Sequence, residues 1–278
     1  DIWHRKCWTC TVCGRERCVR SDACASTDEP LWPERWSRAG LRAEKRLNKV
    51  LFAAQYENDP ESGDVTEFDA ERIRDCVVDW SGKTVIAYAN KHNDVAFTAP
   101  FSRLRGIISV DPASSDDPQS CRSAVGFLAE DTTTGSLLKL DLWAKQEKPE
   151  QVVQAIIDMY EKWRKLGVPI VHVGIEGVAG QKYVEPAIRS AAALRGVWQL
   201  AYRPMKPRPT DLIQFYKTDA KLKKQDRIAG LIGWRINSGL LYVRADLPER
   251  NLFDAETRRF PNAKSTDVLD ETAYAEQL

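Results

Sequence analysis

The sequence predicts an α/β protein in which a mixed five-stranded sheet is flanked by helices, with its core beginning at about residue 104. Three apolar runs separated by turn-rich breaks indicate an antiparallel meander of strands: RGIISVD, SAVGFLAED and SLLKLDLWAK. Helical and strand patterns then alternate toward the C-terminus, which is typical of parallel strands joined by helices. Together, these two observations predict a mixed sheet.

An amphipathic helix follows the meander, because PEQVVQAIIDMYEKWRKLG starts with Pro149, carries its apolar residues on one stripe and ends at Gly167. The pattern after it predicts four further elements. They are the buried strand IVHVGIEG, a helix at about 183–194, the strand VWQLAYR and a basic helix at about 219–237.

The residues before the meander give weaker signals. Helical spacing of apolar residues predicts a helix at about 38–55, and the turn residues NDPESGD end it. Residues 66–105 are mixed, with a helix expected near 68–76 and a strand at KTVIAYAN.

Composition is that of an ordinary globular protein, with 278 residues, 43% hydrophobic and 29% charged, and a net charge of +1. No run of 18 apolar residues and no charged-then-apolar leader occurs, so we expect neither a membrane span nor a signal peptide. The expected compartment is the cytoplasm. Because the chain begins at Asp1, we also expect it to be a piece of a longer polypeptide.

A basic stretch lies between Tyr202 and Arg227, which contains eight basic residues and three acidic ones. Such a stretch in a nearly neutral chain is typical of a surface that binds a polyanion, and the alternative is a solvated helix face. The basic residues are Arg203, Lys206, Arg208, Lys217, Lys221, Lys223, Lys224 and Arg227.

Two predicted strands end in a carboxylate. Asp111 follows IISV and Glu176 follows VHVGI, and each precedes a loop. If the strands are neighbours, the two like charges project from one edge of the sheet and repel each other unless a cation neutralises them. Mg²⁺ is a cation that carboxylate oxygens bind. The alternative for each residue alone is a turn cap.

A third acidic element lies in FPNAKSTDVLDETAYA near the C-terminus. Asp267 and Asp270 are three residues apart and share one face if this segment is helical. The alternative is a helix cap, because Ser265, Thr266 and Asp267 are all good capping residues. Both roles are compatible, since a carboxylate at a helix start can also point at a metal.

Five of the seven cysteines occur within a short N-terminal stretch that also contains His4. The chain carries an odd number of cysteines and no secretory signal, which argues against a disulfide framework. The spacing could supply four ligands to a structural Zn²⁺, and the alternative is a reduced remnant at a domain border. The residues concerned are Cys7, Cys10, Cys13, Cys18 and Cys24.

The order of these motifs resembles the nuclease module of the large terminase subunit of tailed double-stranded DNA phages. The first strand ends in DPAS at 111–114, and the fourth ends in IEG at 175–177 with Gln181 shortly after. A basic helix follows with Lys224 and Arg227, and an FP element at 260–261 precedes the closing acidic segment. Upstream, LWPERWS and FAAQYENDP resemble the linker between the family's ATPase and nuclease parts.

The resemblance implies an RNase H-like fold and a two-metal endonuclease that cuts concatemeric double-stranded DNA during genome packaging. It implies a cysteine-rich segment and linker at 1–65 and a nuclease domain at 66–278. Two Mg²⁺ or Mn²⁺ ions would be bound by Asp111, Glu176 and Asp267, which are the implied catalytic residues, with Asp270 as an outer partner. The implied DNA-binding residues are Arg203, Lys206, Arg208, Lys221, Lys223, Lys224 and Arg227.

The implied partners are double-stranded DNA, the portal and the small terminase subunit. The implied location is the cytoplasm of the host cell, docked at the procapsid. Other RNase H-like enzymes, such as transposases and junction resolvases, would use the same carboxylates. A non-catalytic DNA-binding or packaging-scaffold module is the alternative from another class.

This chain departs from the family pattern at two points. Thr266 stands where the family often has the first of two adjacent aspartates, which puts one ligand in doubt. No complete ATPase phosphate-binding motif occurs, because SGKT at 81–84 has Val77 in place of the required first glycine. We expect SGKT to be a turn.

Overall fold

The computed structural model describes Arg35, Ser37, Gly40 and residues 68–113, 122–177, 184–202, 211–216 and 222–277. The described core belongs to one compact unit, Thr66–Leu278. The expected helix at 38–55 and the N-terminal cysteines fall outside the described residues, so the assignment of residues 1–65 stays a prediction.

The described residues form nine strands and six helices. The strands are β1 (Arg74–Asp79), β2 (Thr84–Tyr88), β3 (Val95–Pro100), β4 (Leu104–Asp111), β5 (Ser123–Asp131), β6 (Leu137–Lys145), β7 (Ile170–Glu176), β8 (Ile213–Tyr216) and β9 (Leu241–Arg244). The helices are α1 (Pro149–Leu166), α2 (Val184–Leu194), α3 (Trp198–Ala201), α4 (Lys224–Asn237), α5 (Arg250–Arg259) and α6 (Asp267–Tyr274).

All nine strands belong to one sheet in the order β3-β2-β1-β9-β6-β5-β4-β7-β8. The meander β4-β5-β6 is antiparallel, β7 joins β4 in parallel, and β8 joins β7 in parallel. The predicted fold class, a mixed α/β sheet flanked by helices, is confirmed. The predicted number of five strands is wrong, because β9 and the hairpins β1-β2-β3 extend the sheet beyond β6.

Alternation along the strands divides the core into two layers. On β4, Ile108 and Val110 pack into one layer with α1, α2 and α3, whereas Ile107 packs into the other with α4, α5 and α6. Successive side chains of a strand point to opposite faces, so both layers draw on the same strands. Within the described residues, no helix combines the length and apolar character needed to cross a bilayer.

Three local expectations are corrected by the structure. The expected helix at 68–76 is a single turn at Ala70–Arg72 that leads into β1. The expected strand VWQLAYR contains the short helix α3, and the fifth core strand is β8 instead. The expected turn at SGKT is confirmed, because it joins β1 to β2 and the Asp79 carboxylate accepts the Ser81 and Gly82 N–H groups.

A glycine on β5 lets helix α6 approach the sheet. A Cβ atom built on Gly126 would lie 2.1 Å from the Oε1 atom of Glu271. Glu271 is completely buried, so its side chain has no room to retreat. The absence of a side chain at residue 126 therefore leaves room for the Glu271 carboxylate between α6 and β5.

We predict that Gly126→Ala destabilises the fold by about 1–3 kcal/mol, because the added methyl overpacks the contact between β5 and α6. Urea unfolding followed by circular dichroism measures the change. Gly230→Ala is the matched control, since nothing lies within 4 Å of a Cβ at that position in α4. The control should be neutral or slightly stabilising, and equal effects of the two changes would contradict the packing explanation.

Candidate active site

Two carboxylates lie side by side at one end of the sheet. Asp111 is the last residue of β4 and Glu176 is the last residue of β7. Strands β4 and β7 are parallel, and Val110 lies opposite Ile175. The next residues, Asp111 and Glu176, therefore lie side by side at the same edge of the sheet. The predicted juxtaposition of the two strand ends is present.

The strand alternation also decides which face the carboxylates occupy. Ile108 and Val110 face the layer of α1, so Asp111 and Ser109 face the layer of α4 and α6. The Ser109 hydroxyl donates a hydrogen bond to the Glu271 backbone carbonyl, 2.5 Å away, and the Tyr216 hydroxyl donates to Ser109 Oγ at 3.1 Å. These bonds hold α6 against the ends of β4 and β8.

Helix α6 presents four functional side chains on one face. Asp267, Asp270, Glu271 and Tyr274 are spaced by three, one and three residues, which places them along one stripe. All eight residues of α6 are buried, an unusual state for a helix rich in carboxylates. Each acidic side chain of α6 must therefore have a partner inside the protein.

The N-terminus of α6 is capped by another helix rather than by its own residues. Thr266 occupies the N-cap position without a side-chain cap bond. The Glu256 carboxylate of α5 instead accepts the N–H groups of Val268 and Leu269, both at 3.0 Å. Because the helix start is satisfied in this way, the Asp267 side chain is available for other contacts.

Asp267 turns toward the ends of β4 and β5. Its Oδ2 atom accepts the Arg122 N–H at 3.0 Å and the Ser265 hydroxyl at 2.9 Å. Its Oδ1 atom faces Lys224 Nζ at 3.0 Å. Asp111, Glu176, Asp267 and Asp270 therefore meet in one place, and we call these four residues the acidic cluster.

Two cations from α4 enter the acidic cluster. Lys224 Nζ lies 3.0 Å from Asp267 Oδ1, 3.3 Å from Asp270 Oδ2 and 3.9 Å from Asp111 Oδ2. Arg227, one turn later, places Nη2 at 3.0 and 2.7 Å from the two carboxylate oxygens of Asp270. The start of the basic helix is thus directed at the carboxylates.

A tyrosine positions the fourth carboxylate. The Tyr274 hydroxyl donates a hydrogen bond to Glu176 Oε1 at 2.5 Å. Its ring stacks on Tyr216 at a centroid distance of 4.8 Å, and the Arg227 guanidinium lies 5.0 Å from the centroid of the Tyr274 ring. Burial raises the pKa of Tyr274, and Asp270 and Glu176 act in the same direction, so the phenol keeps its proton and donates.

A second charged pair lies beneath the acidic cluster. Lys139 Nζ on β6 is 2.5 Å from Glu271 Oε2 and 2.9 Å from the Thr272 hydroxyl, and both charged side chains are fully buried. Burial raises the pKa of Glu271, whereas Lys139 lowers it. The pair neutralises the one carboxylate of α6 that points into the core.

The acidic cluster itself is electrostatically crowded. Burial raises the pKa of Asp111 well above its usual value; Lys224 opposes this effect, while Glu176 and Asp270 reinforce it. Burial likewise raises the pKa of Asp270 against the influence of Lys224 and Arg227. Four carboxyl groups thus share two nearby cations, and burial favours the protonated forms of Asp111 and Asp270.

The structure brings together six of the predicted site residues: Asp111, Glu176, Asp267, Asp270, Lys224 and Arg227. Another predicted residue, Lys223, directly precedes Lys224 and is exposed. Outside the described residues lie Arg203, Lys206, Arg208, Lys221 and the predicted zinc ligands Cys7, Cys10, Cys13, Cys18 and Cys24.

The sequence patterns described above do not predict three supporting residues of this region, which are Lys139, Tyr274 and Glu256. Lys139 carried a signal, since it is a lone lysine within the apolar run SLLKLDLWAK. Tyr274 also carried one, because it lies seven residues after Asp267 and so shares its helix face. Glu256 carried none, because its role depends on how α5 packs against α6.

The chemistry of the acidic cluster suits a divalent ion. Carboxylate oxygens are hard ligands of the kind that Mg²⁺ and Mn²⁺ prefer. However, no three acidic, histidine or cysteine side chains converge on a common ion position anywhere in the described part of the chain. The donor atoms are therefore of the type that a divalent ion prefers, while the ammonium group of Lys224 lies among them.

No protein-family model and no curated protein matches this chain. Among solved structures, it is similar to the nuclease domain of human cytomegalovirus terminase, Mn-soaked and inhibitor-bound, with a TM-score of 0.45 and 11% identity over 64% of this chain and 85% of that chain. It is similar to the P22 large terminase nuclease domain, with a TM-score of 0.43 and 16% identity over 76% of this chain and 90% of that one. The large terminase (g2p) nuclease domain of bacteriophage SPP1 with bound Mn gives a TM-score of 0.38 and 13% identity over 64% of this chain and 86% of that one.

We predict that Lys139→Met destabilises the protein by about 3–5 kcal/mol, because it leaves the Glu271 carboxylate buried without its cation. The double change Lys139→Met with Glu271→Leu should recover most of this loss, as measured by urea unfolding. The exposed pair Lys91–Glu71, with 81% and 74% of the side chains accessible, serves as control. Lys91→Met should have no measurable effect, and an equally mild Lys139→Met would contradict the role of the buried pair.

We predict that Asp111→Asn stabilises the metal-free protein at neutral pH. An aspartate whose folded-state pKa is raised contributes stability below its ordinary pKa and loses it as the pH rises through the folded value. The advantage of the variant over the wild type should therefore grow from pH 4 to pH 7. Thermal unfolding in EDTA at several pH values measures it, and a variant that is less stable at pH 7 would contradict the direction of the pKa shift.

Proposed function

We propose that this protein is a metal-dependent endonuclease that cuts double-stranded DNA. The observation that carries the proposal is the acidic cluster, in which three segments far apart in sequence deliver carboxylates to one end of a mixed sheet. Gathering four carboxylates, three of which are buried, opposes folding. Such an arrangement is expected where the carboxylates have a function that offsets this loss.

Each residue of the acidic cluster has a role in this proposal. Asp111, Glu176 and Asp267 would hold the two ions. Asp270 is oriented by Arg227 and acts as an outer partner. When bound, two Mg²⁺ or Mn²⁺ ions would lower the pKa of an attacking water and stabilise the leaving 3′ oxygen.

The protein residues fix the geometry that this chemistry needs. The Tyr274 hydroxyl holds Oε1 of Glu176, the Arg122 N–H holds Oδ2 of Asp267, and the Oδ1 atom of Asp267 faces Lys224. Helix α6 carries Asp267 and Asp270 on a rigid, fully buried element. Rigid support of this kind preorganises a site for catalysis.

Basic residues beside the acidic cluster would hold the DNA backbone. Lys223 is exposed at the start of α4, next to Lys224 and Arg227. We include Arg203, Lys206, Arg208 and Lys221 in this surface on the grounds of sequence alone. Phosphate contacts position DNA without reading its sequence, so the proposal implies low sequence specificity and binding that weakens as salt rises.

The biological reaction we propose is the cutting of concatemeric phage DNA during genome packaging. The motif order described in the sequence supports this choice over a transposase or junction resolvase, because the segments LWPERWS and FAAQYENDP resemble a terminase linker. In this setting, the partners are the portal and the small terminase subunit, and the protein acts in the host cytoplasm at the procapsid.

We predict that the protein converts supercoiled plasmid to nicked and linear forms in the presence of Mn²⁺ or Mg²⁺, and that EDTA abolishes the conversion. Asp111→Ala and Glu176→Ala should each reduce the rate by at least about 100-fold, since each removes a ligand of the reacting ions. Gel electrophoresis of timed samples measures the rate. Glu150→Ala, which removes an exposed carboxylate of α1, is the matched control and should cut like the wild type.

The outcomes separate the candidate functions. Uncut plasmid in all reactions, with DNA binding retained in a gel-shift assay, would support the non-catalytic DNA-binding module instead. Equal cutting by the wild type and both variants would show that other residues carry the reaction.

A further inference from the structure

Lys224 occupies an unusual position for a residue expected to contact DNA. Its ammonium nitrogen lies within 3.9 Å of oxygens from Asp111, Asp267 and Asp270, and therefore among three of the four members of the acidic cluster. The positive charge of Lys224 therefore lies inside the acidic cluster.

The other cations near α6 are built into the core, whereas Lys224 is not. Lys139 is fully buried and also donates to the Thr272 hydroxyl. Arg227 is largely buried and also lies over the Tyr274 ring. Lys224 stands at the first turn of α4 with 36% of its side chain accessible. Its flexible four-carbon stem can therefore swing into solvent without disturbing the core.

The same oxygens cannot serve the ammonium group and a divalent ion at once. The Nζ atom of Lys224 lies 3.0 Å from an oxygen of Asp267 and 3.3 Å from an oxygen of Asp270, so it occupies the space between these carboxylates. Removal of the ammonium would release oxygens of Asp111, Asp267 and Asp270 together. Two cations therefore compete for the acidic cluster: the ammonium group of Lys224 and a free divalent ion.

We propose that Lys224 is a tethered cation that fills the acidic cluster in the ion-free protein and must leave it before a divalent ion binds. This inference rests on the proposed function in taking the acidic cluster as the ion site. It assigns Lys224 two positions, one among the carboxylates and one in solvent beside the exposed Lys223, where a DNA phosphate would meet it. The lysine stabilises the unloaded protein and lowers its apparent affinity for ions.

The magnitude follows from competition between the two occupants. The apparent affinity for an ion falls by the fraction of molecules in which the site is open. If Lys224 fills the acidic cluster in about 90% of ion-free molecules, apparent binding is weakened about tenfold. A substitution that removes the ammonium should restore that factor.

We predict that Lys224→Met in the full chain binds Mn²⁺ about tenfold more tightly than the wild type. Titration monitored by the electron paramagnetic resonance signal of free Mn²⁺ measures binding without reference to cutting. Lys223→Met is the matched control, since it removes an equal charge from the neighbouring exposed position and should change the affinity about twofold or less. Lys224→Arg keeps a cation at the position and should bind no more tightly than the wild type.

A second measurement uses the wild type and needs no variant to fold. Acetylation of lysines by an N-hydroxysuccinimide ester, read by mass spectrometry, should modify Lys224 several-fold faster with Mn²⁺ than without it. Lys91, which is exposed and outside the acidic cluster, should react at the same rate in both conditions.

Each outcome has a defined meaning. Tighter Mn²⁺ binding by Lys224→Met, together with Mn²⁺-dependent acetylation of Lys224, supports the inference. Equal or weaker binding by Lys224→Met, or an acetylation rate that Mn²⁺ leaves unchanged, overturns the inference while leaving the nuclease proposal standing. Failure of every protein to bind Mn²⁺ overturns the inference and the ion site of the proposed function together.

Discussion

The structure depends on neutralising the buried carboxylates of helix α6. Asp267, Asp270 and Glu271 would destabilise a packed helix if they were left without cations, because desolvated charges are costly. Lys224, Arg227 and Lys139 supply the positive charge from α4 and β6, that is, from both the helical layer and the sheet. The position of α6, the direction of α4 and the choice of residue at 139 therefore depend on one another.

The sheet positions the remaining carboxylates by register alone. Asp111 and Glu176 end adjacent parallel strands at the same level, and strand alternation turns Asp111 toward α4 and α6. Gly126 on the next strand leaves room for the buried Glu271 carboxylate of α6. A shift of one residue in β4 would send the Asp111 side chain to the opposite layer. The position of Asp111 in the acidic cluster therefore depends on the register of the strand pairing.

Sequence patterns predicted the members of the acidic cluster because these residues follow or interrupt strongly apolar segments. Asp111 and Glu176 each end an unbroken apolar strand, and the spacing of Asp267 and Asp270 is informative for any helix. Elements of four residues, such as β8 and β9, are too short to show alternation, and VWQLAYR forms the helix α3 despite its strand-like composition. The placement of Lys224 among carboxylates, rather than on a DNA-facing surface, depends on how α4 meets α6, which local spacing does not encode.

The complete burial of α6 has a consequence for genetics. Every residue from Asp267 to Tyr274 is buried, so random substitutions there will reduce the amount of folded protein as well as alter the site. A screen for lost activity would return many positions in this helix for reasons of abundance alone. Glu176 is only partly buried and ends a strand, so a loss of activity in a Glu176 variant is less readily explained by a loss of folded protein.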